Sequence, residues 1–188
     1  MLLSHLPATF ETDNWLLRAP RECDAPSLFR TCWGSELAAT YRTTPPLRRF
    51  QEAEVLLNKA LSSWPLGRER VYVLTRMGAP NTAIGTITLS LTQPTTAEVD
   101  YTLSAEFWGA NLLHEALRAV TDAFLGLPNG RRAQAHCPGD SITGLRAFHK
   151  AGFQCEALVR RHAVLPHFGY EPADFWLFSR TGPDIVLP

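Results

Sequence analysis

Residues 97–120 set the terms for the rest of the chain, because they pass from an alternating repeat to a helical one within a few residues. Val99, Tyr101 and Leu103 alternate with Glu98, Asp100 and Thr102, the pattern of a strand with two unlike faces. A turn through Ser104–Phe107 follows, and a helical pattern starts at about Gly109. Leu112, Leu113, Ala116, Leu117, Val120 and Phe124 then fall on one side, with Glu115, Arg118 and Asp122 opposite. A strand that runs through a glycine-containing turn into a helix leaves backbone N–H groups unpaired at the helix start. With the helix dipole, those groups suit a phosphate-bearing ligand.

The remaining segments are read around that unit. Residues 1–12 read as a loose lead-in, and Trp15–Ala19, ended by Pro20, as the first strand. Asp24 is placed to cap a helix with Pro26 in its first turn and with Leu28, Phe29, Cys32 and Trp33 inward. From Phe50 to Trp64, residues Ala53, Leu56, Leu57, Ala60, Leu61 and Trp64 make a helical stripe that Pro65 and Gly67 end. Strands follow at 70–76, 83–91 and 96–103, with turns short enough for an antiparallel meander. After the central helix come a strand at 131–137, a helix from about Asp140 to Ala151 closed by Gly152, and strands at 153–159 and 173–180.

With 188 residues, 45% of them hydrophobic, the chain can bury a substantial core and is expected to form one domain, 13–182, with terminal extensions 1–12 and 183–188. The 18 basic and 18 acidic residues cancel, so charge gives no argument for a nucleic acid or an anionic membrane as partner. No apolar run is long enough to span a bilayer. Cys23, Cys32, Cys137 and Cys155 show no C-x-x-C spacing and read as reduced, mostly buried thiols of a cytoplasmic protein. His136, His162 and His167 show no spacing that converges on a metal, and His149 reads as exposed, so no metal is expected.

The run AEVDYTLSAEFWGANLLHEALRAV resembles the acetyl-coenzyme A segment of the GNAT acetyltransferases, in their ribosomal-protein N-acetyltransferase branch. Two later stretches support the resemblance: LRAFHKAGFQCEALVRRHAV, with Lys150, Gly152 and Phe153 in the family's positions, and the closing strand ADFWLFSR. The superfamily's pyrophosphate signature, Q/R-x-x-G-x-G/A, falls on Trp108–Leu113, so that Asn111 replaces the central glycine and Leu113 the last small residue. The resemblance covers nearly the whole chain. It implies an α/β (α+β) GNAT fold, with a mixed, mostly antiparallel sheet of about seven strands flanked by about four helices.

It also implies an activity: transfer of acetyl from acetyl-coenzyme A, as co-substrate, to a primary amine on a protein N-terminus or a small molecule. An amine of ordinary basicity is protonated at neutral pH, so direct attack needs a proton acceptor. Glu98 lies where many members of the branch carry such a glutamate. Asp100, on the same strand face, replaces the usual glycine; it could act with Glu98 on a cationic acceptor or simply face solvent. The resemblance gives the pantetheine arm to the backbone of Tyr101, Thr102 and Leu103, and the diphosphate to the loop Trp108, Gly109, Ala110, Asn111, Leu112 and Leu113. Aligning back from Gly152 puts Ser141 at the family's coenzyme-contacting asparagine and Gly144 at its acid serine. Ser141 therefore stands as a substitute hydrogen-bond donor or as an ordinary helix-start residue, and Tyr101 as another conceivable acid. The loop at 160–172 and the region from Trp33 to Phe50 flank the acceptor side, and Trp33 is expected to touch the acceptor. Homodimers are common in that branch, which is the one ground for expecting a dimer here. The alternative reading is a GNAT-fold protein that binds coenzyme A, a ligand or a partner without turnover.

Overall fold

The computed structural model describes residues 2–110 and 112–182. Asn111 and the expected C-terminal extension at 183–188 lie outside the described residues. One eight-stranded sheet runs in the order β1-β2-β3-β4-β5-β6-β8-β7. Its strands are β1 Thr9–Glu11, β2 Trp15–Arg18, β3 Glu69–Arg76, β4 Gly85–Gln93, β5 Thr96–Leu103, β6 Arg132–Pro138, β7 Gln154–Val164 and β8 Pro172–Thr181. Every neighbouring pair is antiparallel except β5 and β6. The helices are α1 Ala25–Leu28, α2 Phe50–Ser63, α3 Leu113–Leu125 and α4 Ile142–Lys150. The meander β3-β4-β5 follows the sequence expectation, and β5 spans Thr96–Leu103 as its alternation required.

Strand alternation sorts the core into two layers. Tyr72, Leu74, Ile87, Leu89, Val99, Ala133 and Ala135 pack with Leu113, Ala116, Leu117, Val120 and Phe124 of α3 and with Ala147 and Phe148 of α4. Val73, between Tyr72 and Leu74, faces the other way into a smaller cluster with Leu28, Cys32, Trp33, Ala53 and Leu57. Thus α1 and α2 cover one face of the sheet, and α3 and α4 the other.

Three expectations need correction. Residues 1–12 are not a loose lead-in: a 3-10 turn at Leu2–His5 leads into β1, which adds an eighth strand where about seven were expected. Leu3 and Leu6 are buried in the main core, the Arg70 Nε donates to the Leu3 carbonyl at 2.8 Å, and the Tyr72 hydroxyl donates to the Pro7 carbonyl at 2.8 Å. The segment is held by strands that come some sixty residues later in sequence, and its own composition carries no sign of that.

The second correction concerns Asp24, whose side chain caps no helix of its own. Arg18 Nη1 and Nη2 donate to its two carboxylate oxygens at 2.8 and 2.6 Å, and the Arg21 N–H donates to it at 2.8 Å. Both members of this ion pair are buried, and α1 continues past it as a wider π-type turn over Phe29–Trp33. The third concerns α3, which begins at Leu113 and not near Gly109. A 3-10 turn at Ala105–Phe107 and a turn at Gly109, where φ is +76°, come first. That backbone angle favours glycine, and it is what lets the chain reverse before the helix.

Candidate active site

Among the described residues, the one parallel pairing in the sheet is short. Thr96, Ala97 and Glu98 pair with Arg132, Ala133 and Gln134, and the pairing stops there. Beyond Glu98 the two strands part, while β5 stays paired to β4 as far as Leu103 and β6 to β8 as far as Pro138. A cavity of about 860 Å³ fills the fork and reaches both faces of the sheet. Toward α1 and α2 it is lined by Trp33, Tyr41, Arg42, Glu98, Asp100, His136 and His162. Toward α3 and α4 it is lined by Tyr101, Leu113, His114, Cys137, Ser141, Arg146 and Lys150.

Glu98 stands at the vertex of the fork. Its Oε2 accepts from Gln134 Nε2 at 2.9 Å, and its Oε1 lies 2.7 Å from His136 Nδ1. Gln134 and His136 alternate along β6 with the core residues Ala133, Ala135 and Cys137, so both project on the Glu98 side of the sheet. The His136 ring stacks on His162, with centroids 4.2 Å apart and planes 12° from parallel, and His162 also meets Phe175. Burial and the neighbouring His136 hold the His162 imidazole below its ordinary pKa, against the pull of Glu98.

Asp100 shares the face of Glu98, as the alternation required, and is open to the cavity. The surrounding protein nevertheless pushes its carboxyl above the usual range. Its own bond from the Tyr101 N–H (2.8 Å) and the charge of Arg42 act the other way, and Glu98 adds to the rise. Arg42 is itself lowered by burial, and its Nη1 is a buried donor without a partner. Trp33 is buried in the smaller core cluster and shows one side to the cavity.

On the opposite face, Tyr101 packs against Phe148 with ring centroids 5.8 Å apart. Burial drives its hydroxyl well above the usual tyrosine range, with Cys137 and Asp100 adding to the rise and a hydrogen bond to Ser141 opposing it. Ser141 is buried and is the N-cap residue of α4, as expected of a helix start, but its side chain makes no cap hydrogen bond there. Gly144 explains the crowding. A Cβ there would lie 2.7 Å from the Tyr101 hydroxyl, 2.8 Å from Ser141 Oγ and 2.9 Å from Cys137 Sγ. Only a residue without a side chain lets these three groups meet. Burial pushes the Cys137 thiol up to about 12 and Cys32 up to about 11.

Cys23 and Cys155, by contrast, are exposed, against the expectation of mostly buried thiols. Iodoacetamide at pH 8 on the native protein is therefore expected to modify Cys23 and Cys155 and to spare Cys32 and Cys137, whose thiolate fractions are vanishingly small. Peptide mapping by mass spectrometry reads this. Rapid labelling of Cys137 would show its thiol to be reactive in spite of its burial.

The loop leading to α3 is placed as follows. Trp108, Gly109, Leu112 and Leu113 line the cavity, as do Thr102 and Leu103, whereas Ala110 is exposed. The Trp108 indole donates to the Leu103 carbonyl at 3.1 Å, and the Trp15 indole donates to the Leu112 carbonyl at 2.8 Å. Glu115, in the first turn of α3, accepts from Asn14 and Thr12. The head of α3 is thus pinned from the β1–β2 turn. His114 Nδ1 is buried there without a partner. Among the described residues, no group of three His, Cys, Asp or Glu side chains could hold a metal ion, and no helix is long and apolar enough to cross a membrane.

A mixed, mostly antiparallel sheet with helices on both faces, and a strand leading through a glycine turn into α3, is the arrangement implied by the resemblance noted in the sequence. The acetyltransferase (GNAT) domain family matches residues 14–154. The chain belongs to the GNAT acetyltransferase family. Solved structures agree on the fold at low identity. RimJ of Mycobacterium smegmatis, in complex with CoA-disulfide, is 15% identical with a TM-score of 0.80, covering 96% of this chain and 90% of its own. The ribosomal-protein-S5-alanine acetyltransferase of Vibrio fischeri is 16% identical with a TM-score of 0.78, covering 95% and 98%. The spermidine N-acetyltransferase of Vibrio cholerae, in complex with CoA and spermine, is 17% identical with a TM-score of 0.75, covering 90% and 96%. No curated protein matches this GNAT chain.

Sequence reasoning missed Gln134, His114 and Arg146 at the site, and it takes His136 and His162 only as histidines without metal-ligand spacing. Strand parity puts Gln134 and His136 on one face, but the register that brings that face beside Glu98 is a parallel pairing between segments 36 residues apart.

Proposed function

We propose that this protein transfers acetyl from acetyl-coenzyme A to a primary amine by direct attack within a ternary complex. The observation that carries the reading is the fork between β5 and β6, with a hydrogen-bonded carboxylate, Glu98, at its vertex and the head of α3 at its mouth. The residues present fit the coenzyme. The positive end of the α3 dipole, the buried and unpartnered His114 Nδ1, and the cations Arg146 and Lys150 on α4 border the cavity where a diphosphate would sit. The coenzyme supplies an acetyl thioester, and the chain's own groups do the rest.

Glu98 supplies the negative charge that draws the proton from the acceptor ammonium, and Asp100 adds to the attraction for a cationic amine. Tyr101, kept neutral by burial, and Ser141 form the hydroxyl pair that can give a proton to a departing thiolate. They stand on the other face of the sheet from Glu98, so acid and base approach the reacting centre from opposite sides. The acceptor enters from the α1–α2 side, past Tyr41 and Arg42.

Thermal melting tests the coenzyme half of this reading. At about a hundred times its dissociation constant, acetyl-coenzyme A should stabilise the fold by roughly 2.7 kcal/mol and raise the melting temperature accordingly. An unchanged melting curve at millimolar ligand would sink the proposal. The rival reading, a fold-mate that binds without turnover, draws its support from Gly144, which puts no hydroxyl where the family's acid serine falls. Turnover by the wild-type protein and its loss in a Glu98 variant decide between the two.

A further inference from the structure

We infer that His136, through its Nε2, is the atom that receives the amine proton, and that Glu98 acts through it as the positioning carboxylate. This rests on the acetyl-transfer reading and deepens it. Both oxygens of Glu98 are already engaged, one by Gln134 and one by His136 Nδ1. An ionised carboxylate can only accept, so the proton of the 2.7 Å contact resides on His136 Nδ1, and the Nδ1–H tautomer is the one this geometry selects for the neutral ring. That leaves the lone pair on Nε2, at the far side of the ring. Nε2 has no hydrogen-bond partner among the described residues, and His136 lines the cavity.

The ring is also fixed in orientation. His162 lies flat against it at 4.2 Å, and Phe175 backs His162. A carboxylate on one nitrogen and a packed face together make the orienting arrangement by which a histidine acts as a base. In the step itself, the amine N–H bond breaks and its proton joins Nε2, while the freed nitrogen pair attacks the thioester carbonyl carbon. The carbon–sulfur bond then breaks as the tetrahedral adduct collapses; the nitrogen sheds its second proton to solvent, leaving a neutral amide, and the departing thiolate takes a proton from the Tyr101–Ser141 hydroxyls, which regain it from solvent. The imidazolium so formed is balanced by Glu98 at Nδ1, and it returns its proton to water after product leaves. The stacked His162 stays neutral, because two adjacent parallel imidazolium rings would repel each other. The other charged and titratable groups around Glu98 and His136 are Asp100 on the strand of Glu98, Arg42 beyond it, and Arg132 behind Glu98.

The decisive variant is His136→Asn. Its side-chain amide can keep a donor near the Nδ1 position, and so keep Glu98 in place, but it has no acceptor where Nε2 was. With saturating acetyl-coenzyme A, and with spermidine and a short alanyl peptide as acceptor probes, we expect kcat to fall about a hundredfold or more. The limb of the wild-type pH profile that rises from the acid side should flatten, and the melting shift with acetyl-coenzyme A should persist. Nitrogen-15 NMR of the histidine rings gives a readout that needs no turnover. His136 should show its proton on Nδ1 in the wild type, and that preference should weaken in Glu98→Gln.

A His136→Asn rate within about threefold of wild type with the acid limb intact, or a proton found on Nε2, would overturn the inference and leave acetyl transfer standing. A wild-type protein that neither shifts its melting with acetyl-coenzyme A nor acetylates either probe would instead bring down the functional reading beneath it.

Discussion

Glu98→Gln is expected to lower kcat for acetyl transfer by about 10²–10⁴-fold, equivalent to about 3–5 kcal/mol of barrier, with little change in acetyl-coenzyme A affinity. Gln has nearly the shape of Glu and can still accept from Gln134 through its carbonyl oxygen, so the vertex of the fork stays packed. What the substitution removes is charge. His136 then faces a neutral amide in place of an anion at 2.7 Å, and nothing at the vertex favours taking a proton from an ammonium. Release of free thiol at saturating acetyl-coenzyme A measures the rate, and the melting shift measures binding. A variant within a few-fold of wild type would remove Glu98 from the mechanism.

The second large effect is on folding. Asp24→Ala should destabilise the protein by about 3–5 kcal/mol, because it leaves the buried Arg18 guanidinium without its counter-charge. Carbonyl groups of Ala19 and Pro80 would remain as acceptors for Arg18, at 3.2–3.3 Å, but they carry no net charge. The Arg21 N–H would lose its acceptor as well. Urea denaturation reads the loss directly. Replacing both partners with apolar residues, Arg18→Met with Asp24→Leu, should recover much of it, since the cost lies in the charge left alone. A loss below about 1 kcal/mol in the single variant would mean the pair behaves as if it were on the surface. Because α1 follows Asp24 directly and carries the chain toward Trp33, the variant should also loosen the wall of the acceptor side.

The two substitutions mark where the sequence could and could not be read. β5 and α3 were legible because each writes its own period: Val99, Tyr101 and Leu103 alternate, and Leu113, Ala116, Leu117, Val120 and Phe124 recur at helical spacing. Glu98 and Asp100 were placed on one face for the same reason. Asp24 was misread because an acid just before Ala-Pro looks like a helix cap, while its true partner lies on the preceding strand and is revealed only by folding. His136 was passed over because nothing local ties it to Glu98. Their proximity depends on a parallel register across an intervening helix, which no periodicity encodes. The eighth strand escaped notice for a related cause: three residues of mixed character become a strand only when β2 lies beside them. What the chain spells out locally was readable, and what it assembles from distant parts was not.

The three rungs that join β5 to β6 have a mechanical consequence. Among the described residues, strands β1 to β5 and strands β6 to β8 form two plates joined edge to edge at Thr95–Glu98, so twisting or spreading of one plate against the other is taken up at that seam. The last rung belongs to Glu98. The gap can therefore widen or narrow along its length while the carboxylate, seated at the pivot, hardly travels.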